Sequence, residues 1–147
     1  MKYTSLIAMA CAVSTLLFAQ DAKAASDATG FDGTWSVTVN AHEYKNPDGT
    51  TASAWIIRFP AKVKNGVLHG EYGTRGRQGW YQLEGKIEAN GTAILRTNGV
   101  TGDPGHSEQH PHNRTSYEYQ VNAHFEGQHG TGNSVGPSTR TLTFDKD

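Results

Sequence analysis

The chain has 147 residues, one cysteine, 17 glycines and a formal net charge of −1. The near balance of charge, with no polybasic stretch, excludes the electrostatic footprint of a nucleic-acid binder and gives no reason for membrane-surface binding. A lone cysteine excludes an intrachain disulfide.

The first 24 residues read as a secretory leader rather than as part of a fold. Met1-Lys2 is a short basic start. Leu6 to Ala19 is an apolar run broken only by Ser14 and Thr15, and Ala22-Lys23-Ala24 supplies a small–x–small cleavage pattern. The run is shorter than the roughly 20 residues a spanning helix needs, so export with removal after Ala24 is expected, to the periplasm or beyond the cell. Cys11 lies inside the apolar run, too early to serve as a lipoprotein cysteine, and it leaves with the leader. What remains has 11 basic and 13 acidic side chains, a net of −2. Residues 25–30 are small and polar, a tether, and residues 31–147 suffice for one domain with one core.

A strict period of two opens that domain. Trp35, Val37, Val39 and Ala41 alternate with Ser36, Thr38, Asn40 and His42, as a strand with one buried face requires. Lys45 to Gly49 is a turn by composition. The second strand runs from about Ser53 to Val63 with Trp55, Ile57, Phe59, Ala61 and Val63 on one face. Pro60 lacks a donor N–H and belongs at an unpaired or bulged position facing away from the core. Lys64-Asn65-Gly66 signals a hairpin. The third strand turns Leu68, Gly70 and Tyr72 inward, and the fourth Tyr81, Leu83, Gly85 and Ile87, with Gln82, Glu84, Lys86 and Glu88 outward. After the Asn90-Gly91 turn a fifth strand covers about Thr92 to Asn98. Gly99 to Thr115 is a long Gly-, Pro-, Asn- and His-rich loop of the kind that is uncommon in compact domains and more often functional or mobile. A sixth strand alternates Tyr117, Tyr119, Val121, Ala123 and Phe125 with polar residues. A seventh lies at about Gly130 to Val135 and an eighth at Arg140 to Asp145, with Leu142 and Phe144 buried.

Eight strands joined mostly by short turns predict an all-β, antiparallel up-and-down barrel, since pairing the first strand with the last removes both exposed edges. The alternative is an open β-sandwich, which usually needs longer crossing connections.

Phe31-Asp32-Gly33-Thr34-Trp35 resembles the Gly-x-Trp opening of the lipocalin and avidin (calycin-type) barrels. Leu68-His69-Gly70-Glu71-Tyr72 and Tyr81-Gln82-Leu83-Glu84-Gly85 are similar to the third avidin strand and its successor. More loosely, the chain is similar to small exported bacterial proteins that begin Phe-Asp-Gly-Thr-Trp. The avidin resemblance implies that Tyr72 corresponds to a tyrosine on the ligand's ureido oxygen. However, the asparagine expected after the first tryptophan is replaced by Ser36-Val37-Thr38-Val39, and no tryptophan follows Trp80. Biotin binding is therefore not expected.

Three constellations carry chemical possibilities. Trp35, Trp55, Phe59, Tyr72, Tyr81, Tyr117 and Tyr119 share the inferred inner face. They either fill the barrel or wall a pocket at one mouth; Trp35, Trp55, Tyr72, Tyr81, Tyr117 and Tyr119 are the candidate ligand-binding set, for a small apolar or aromatic molecule. His106, His110 and His112, with Asp103 and Glu108 nearby, carry imidazoles in a loop and are candidate ligands for zinc, copper or nickel. Arg75 and Arg77 form a basic loop between the third and fourth strands. With no Gly-Lys-Ser/Thr phosphate loop and no cysteine nucleophile, no enzyme is expected. The competing readings are a metal-binding protein and an envelope interaction or inhibitor module.

Overall fold

The computed structural model describes residues 28–102 and 116–147. The leader, the start of the tether and His106, His110 and His112 lie outside the described residues. Among the described residues a 3₁₀ turn, Ala28–Phe31, precedes ten strands: β1 Gly33–Ala41, β2 Tyr44–Lys45, β3 Thr51–Ala52, β4 Trp55–Lys64, β5 Val67–Tyr72, β6 Tyr81–Ile87, β7 Thr92–Val100, β8 Ser116–Glu126, β9 His129–Val135 and β10 Arg140–Lys146.

Eight of them close into an antiparallel barrel in the order β1-β10-β9-β8-β7-β6-β5-β4, while β2 and β3 form a separate two-stranded hairpin. Closure runs through the first and last strands, with Trp35 opposite Lys146 and Ala41 opposite Arg140. Each strand keeps the expected alternation: Trp35, Val37 and Val39 are fully buried, as are Leu68, Leu83, Leu95, Val121 and Phe144. Among the described residues no helix is long and apolar enough to cross a membrane.

Because neighbouring strands alternate in direction, successive connections of the barrel lie at opposite ends. The three short hairpins, after β4, β6 and β8, lie at one end, here the base. Asn65 and Gly66 both have positive φ, 52° and 73°, the type I′ geometry that matches strand twist. The connections after β1, β5, β7 and β9 gather at the other end, the mouth.

The base is plugged. Trp35 meets Phe125 edge-to-face at 5.3 Å, Phe125 meets Phe144 at 4.7 Å, and Phe31 packs on Phe125 at 6.0 Å. The Trp35 indole N–H donates to the Phe31 carbonyl at 2.8 Å, and the Lys146 ammonium lies 5.9 Å from the indole centroid. Asp32 accepts from the backbone N–H groups of Asn65 and Gly66 at 2.8 and 2.9 Å, which tie the entry of β1 to the β4–β5 turn and hold the carboxyl below its ordinary range. Residues 28–30 are thus no loose tether. They form a turn against the base because Phe31 buries its ring there and Ala28 settles over Gly66.

Other boundaries shift for local reasons. The expected turn at 45–49 is the tip of the β2–β3 hairpin, closed by Asp48, whose carboxylate accepts from the Thr50 N–H and hydroxyl at 2.9 and 2.6 Å. β7 continues through Gly99 to Val100, beyond the expected end at Asn98, because β8 pairs with it that far. Gln82 points outward as expected, yet it is buried, its amide donating to Glu84 at 3.2 Å.

Candidate functional site

The aromatic set divides between the two ends. Trp35 belongs to the base and does not line the mouth: β1 begins at that end, so its first inward residue lies there. At the mouth, β4 and β8 begin while β5 and β7 end, and this brings Trp55, Ile57, Tyr72, Tyr81, Val100 and Tyr117 around one concavity of about 230 Å³. Gly79, Thr101 and Gly102 complete its wall. Four of the six sequence-derived ligand residues therefore meet. Tyr72, 40% exposed, stands at the rim.

The floor explains its own shape. Tyr81 lies between Trp55 at 6.4 Å and Phe59 at 5.5 Å. Tyr117 stacks on Tyr119 at 6.1 Å with 14° between planes. The Tyr117 ring covers Gly99 on the neighbouring strand, where an added Cβ would fall 2.2 Å from the ring. Gly99 is small because a tyrosine occupies its place.

Tyr119 stands behind the pocket rather than in its wall. Its hydroxyl shares a 2.8 Å hydrogen bond with that of Tyr81, which also lies 3.4 Å from the Thr97 hydroxyl. Burial pushes both phenols above their ordinary value of 10.0, because a phenolate there would lose its hydration. The pair thus holds its protons in the folded state while the unfolded chain releases them, so stability is intact below pH ~10 and declines as pH rises further. We expect a fall of up to about 1.4 kcal/mol per pH unit per phenol above that point. Denaturant titrations at rising pH on wild type and Tyr119→Phe will measure it, and equal slopes would contradict it.

One charged residue points inward. Arg140 shares the inner face of β10 with Leu142 and Phe144 and is buried. Its guanidinium sits 4.3 Å from the Tyr119 centroid and donates to the Ser138 hydroxyl. The period of two in Arg140-Thr141-Leu142-Thr143-Phe144 carries this placement. A guanidinium over a ring gains cation–π attraction that helps to offset its burial.

Gly132-Asn133-Ser134-Val135-Gly136 spells a Gly-x-Ser-x-Gly sequence, but a nucleophile elbow needs a sharp strand-to-helix turn. The first four of these residues run along β9 to its end, and Gly136 follows it. The Ser134 hydroxyl donates to the Ser138 carbonyl and accepts from the Arg140 N–H, both at 2.9 Å, so it braces the β9–β10 turn.

Trp80, beside the basic loop, is half-buried with the Arg75 guanidinium 5.5 Å from its ring, and Arg75 pairs with Glu71. Among the described residues no group of three or more His, Cys, Asp or Glu side chains is placed to hold a metal. Two open grooves of about 580 and 490 Å³ flank Ile94 on the outer wall. They run between Lys86, Glu88, Arg96 and Glu118, side chains that water already solvates, so the mouth remains the better binding geometry.

Fold and pocket together define a closed eight-stranded barrel with a sealed base and an aromatic mouth. Comparison with known proteins finds no family model, no curated protein and no solved structure that matches the chain.

Proposed function

We propose that this is an exported, non-catalytic binding protein that takes a small apolar or aromatic ligand at the barrel mouth. The supporting observation is the ring-lined concavity between Trp55, Tyr72, Tyr81 and Tyr117. Apolar walls carrying a few hydroxyls favour a ligand that offers a ring face and at most a few polar atoms. The volume of about 230 Å³ falls below the ~300–1,000 Å³ of sites for drug-sized molecules, which matches one or two fused rings.

Indole and naphthalene are suitable probes, followed by quenching of tryptophan fluorescence. Trp55→Ala and Tyr72→Ala should each weaken binding ~10-fold, about 1.4 kcal/mol, with an unchanged far-ultraviolet spectrum. Tyr72 is the cleaner of the two because its exposed ring contributes little to the core. If both variants lose only thermal stability while affinity holds, the rings are packing and the reading fails.

A further inference from the structure

The barrel wall has a slot beside this pocket. Along β4, pairing with β1 extends over the whole strand, from Trp55 opposite Ala41 to Val63 opposite Gly33. Pairing with β5 covers only Ala61 to Lys64. Among the described residues, the six from Trp55 to Pro60 therefore have a strand on one side and none on the other.

The hydrogen-bond register shows which backbone groups face that gap. The Asp147 N–H donates to the Thr34 carbonyl and the His42 N–H to the Thr139 carbonyl, so even-numbered residues of β1 turn their backbone groups toward β10. Odd-numbered residues then serve β4, and on β4 itself odd residues such as Phe59 and Ile57 pair with β1. Lys64 and Lys62 point the other way, into the β5 ladder, and the next residues in that phase are Pro60, Arg58 and Ile56. Proline has no N–H to offer, which is where the ladder stops. Beyond it, the N–H and C=O groups of Arg58 and Ile56 face the slot, and no hydrogen bond among the described residues takes them up.

The chain that would have continued β5 goes elsewhere. After Tyr72 it swings toward β7, where the Gly79 N–H donates to the Val100 carbonyl and the Gln78 amide to the Gly102 carbonyl. This leaves the slot open onto the pocket, with Trp55 and Ile57 on one wall and Gly79, Val100 and Gly102 on the other.

We infer that the natural occupant is an extended peptide segment of a protein partner, pairing with the free edge of β4 and placing an aromatic or branched side chain in the pocket. This rests on the mouth pocket being the binding site, and it makes that pocket a side-chain receptor. Two in-phase residues offer as many as four backbone hydrogen bonds, the usual basis of strand addition, while a pocket for alternate side chains provides selectivity. Charge selects the sequence. The outer lip carries Arg58 and Lys62, the adjoining loop carries Arg75 and Arg77, and the nearby acid, Glu71, is engaged with Arg75. The segment is therefore acidic at the positions flanking its apolar residue.

A bead library of heptapeptides with central phenylalanine and the other positions drawn from Asp, Glu, Ser, Thr and Val tests this. The protein should enrich Asp- and Glu-rich members. Arg58→Pro removes an N–H that no hydrogen bond among the described residues uses, so it should fold normally yet lose at least ~10-fold in affinity for the enriched peptides. Arg58→Ala, which removes only the charge, should lose less. Methylating alternate amide nitrogens of an enriched peptide gives a second measure, independent of any variant: one phase should abolish binding and the other preserve it. Equal affinity of Arg58→Pro and wild type, or tolerance of both methylation phases, overturns edge pairing. If no peptide is enriched while naphthalene still binds, the inference fails and the pocket reading stands; if neither binds, both fail. A wild-type dimer in sedimentation that Arg58→Pro converts to monomer would make the occupant a second copy and also overturn the peptide.

Discussion

Trp35→Ala should destabilise the barrel by about 3–5 kcal/mol while leaving the affinity of the mouth pocket unchanged in the molecules that remain folded. Trp35 is fully buried at the base, edge-on to Phe125, with its indole N–H on the Phe31 carbonyl. Truncation removes the ring's burial and leaves a cavity beneath Phe125 and Phe144. It also frees Phe31, whose turn is held to the base by that ring and that hydrogen bond. A loss of this size takes a large part of the ~5–15 kcal/mol available to a small domain. Denaturant midpoints read the stability term, and naphthalene titration at low temperature reads the other. A weakened pocket in a fully folded variant would show that base and mouth are coupled.

Gly91→Ala should cost about 3–5 kcal/mol although it adds a single methyl group. Gly91 has φ of +85°, and its carbonyl accepts from the Phe125 N–H at 2.8 Å. A Cβ at that position would lie 2.0 Å from the Phe125 carbonyl oxygen. Backbone cannot rotate aside as a side chain can. The β6–β7 turn must therefore lift from β8, lose that hydrogen bond and disturb the Phe125 ring that seals the base. Gly76 separates the contributions. Its φ is +71° but an added Cβ would meet nothing within 4 Å, so Gly76→Ala should cost only the ~1–2 kcal/mol of the unfavourable backbone conformation. Similar losses for the two variants would mean that the steric argument is wrong.

The strands of the barrel were legible because each repeats one simple constraint. A side chain every second residue must leave water, so Trp35-Val37-Val39 and Tyr117-Tyr119-Val121 announce both strand and face. The base was partly legible through its turns, since Asn65-Gly66 and Asn90-Gly91 suit hairpins and successive connections of a meander fall at alternate ends. The site was less so. Inward-facing is a local property, whereas sharing a pocket depends on height along the barrel axis, and alternation carries no height. Trp35 and Trp55 both point inward, yet one lies at the base and the other at the mouth. Arg140 shows the reverse case: its phase was readable, but a charged residue at a strand's first position does not suggest burial until a ring and a hydroxyl are seen to receive it.

By itself, the sequence determined an all-β chain, the inner and outer faces of its strands, and that Pro60 faces away from the core. The barrel's strand order was legible as well, whereas the tertiary structure alone decided that the rings segregate to two ends and that the loop after β5 turns toward β7, leaving the edge of β4 unpaired among the described residues. The physical reason is that side-chain phase is fixed by covalent geometry within a strand, whereas register and height arise from hydrogen bonds between segments far apart in the chain.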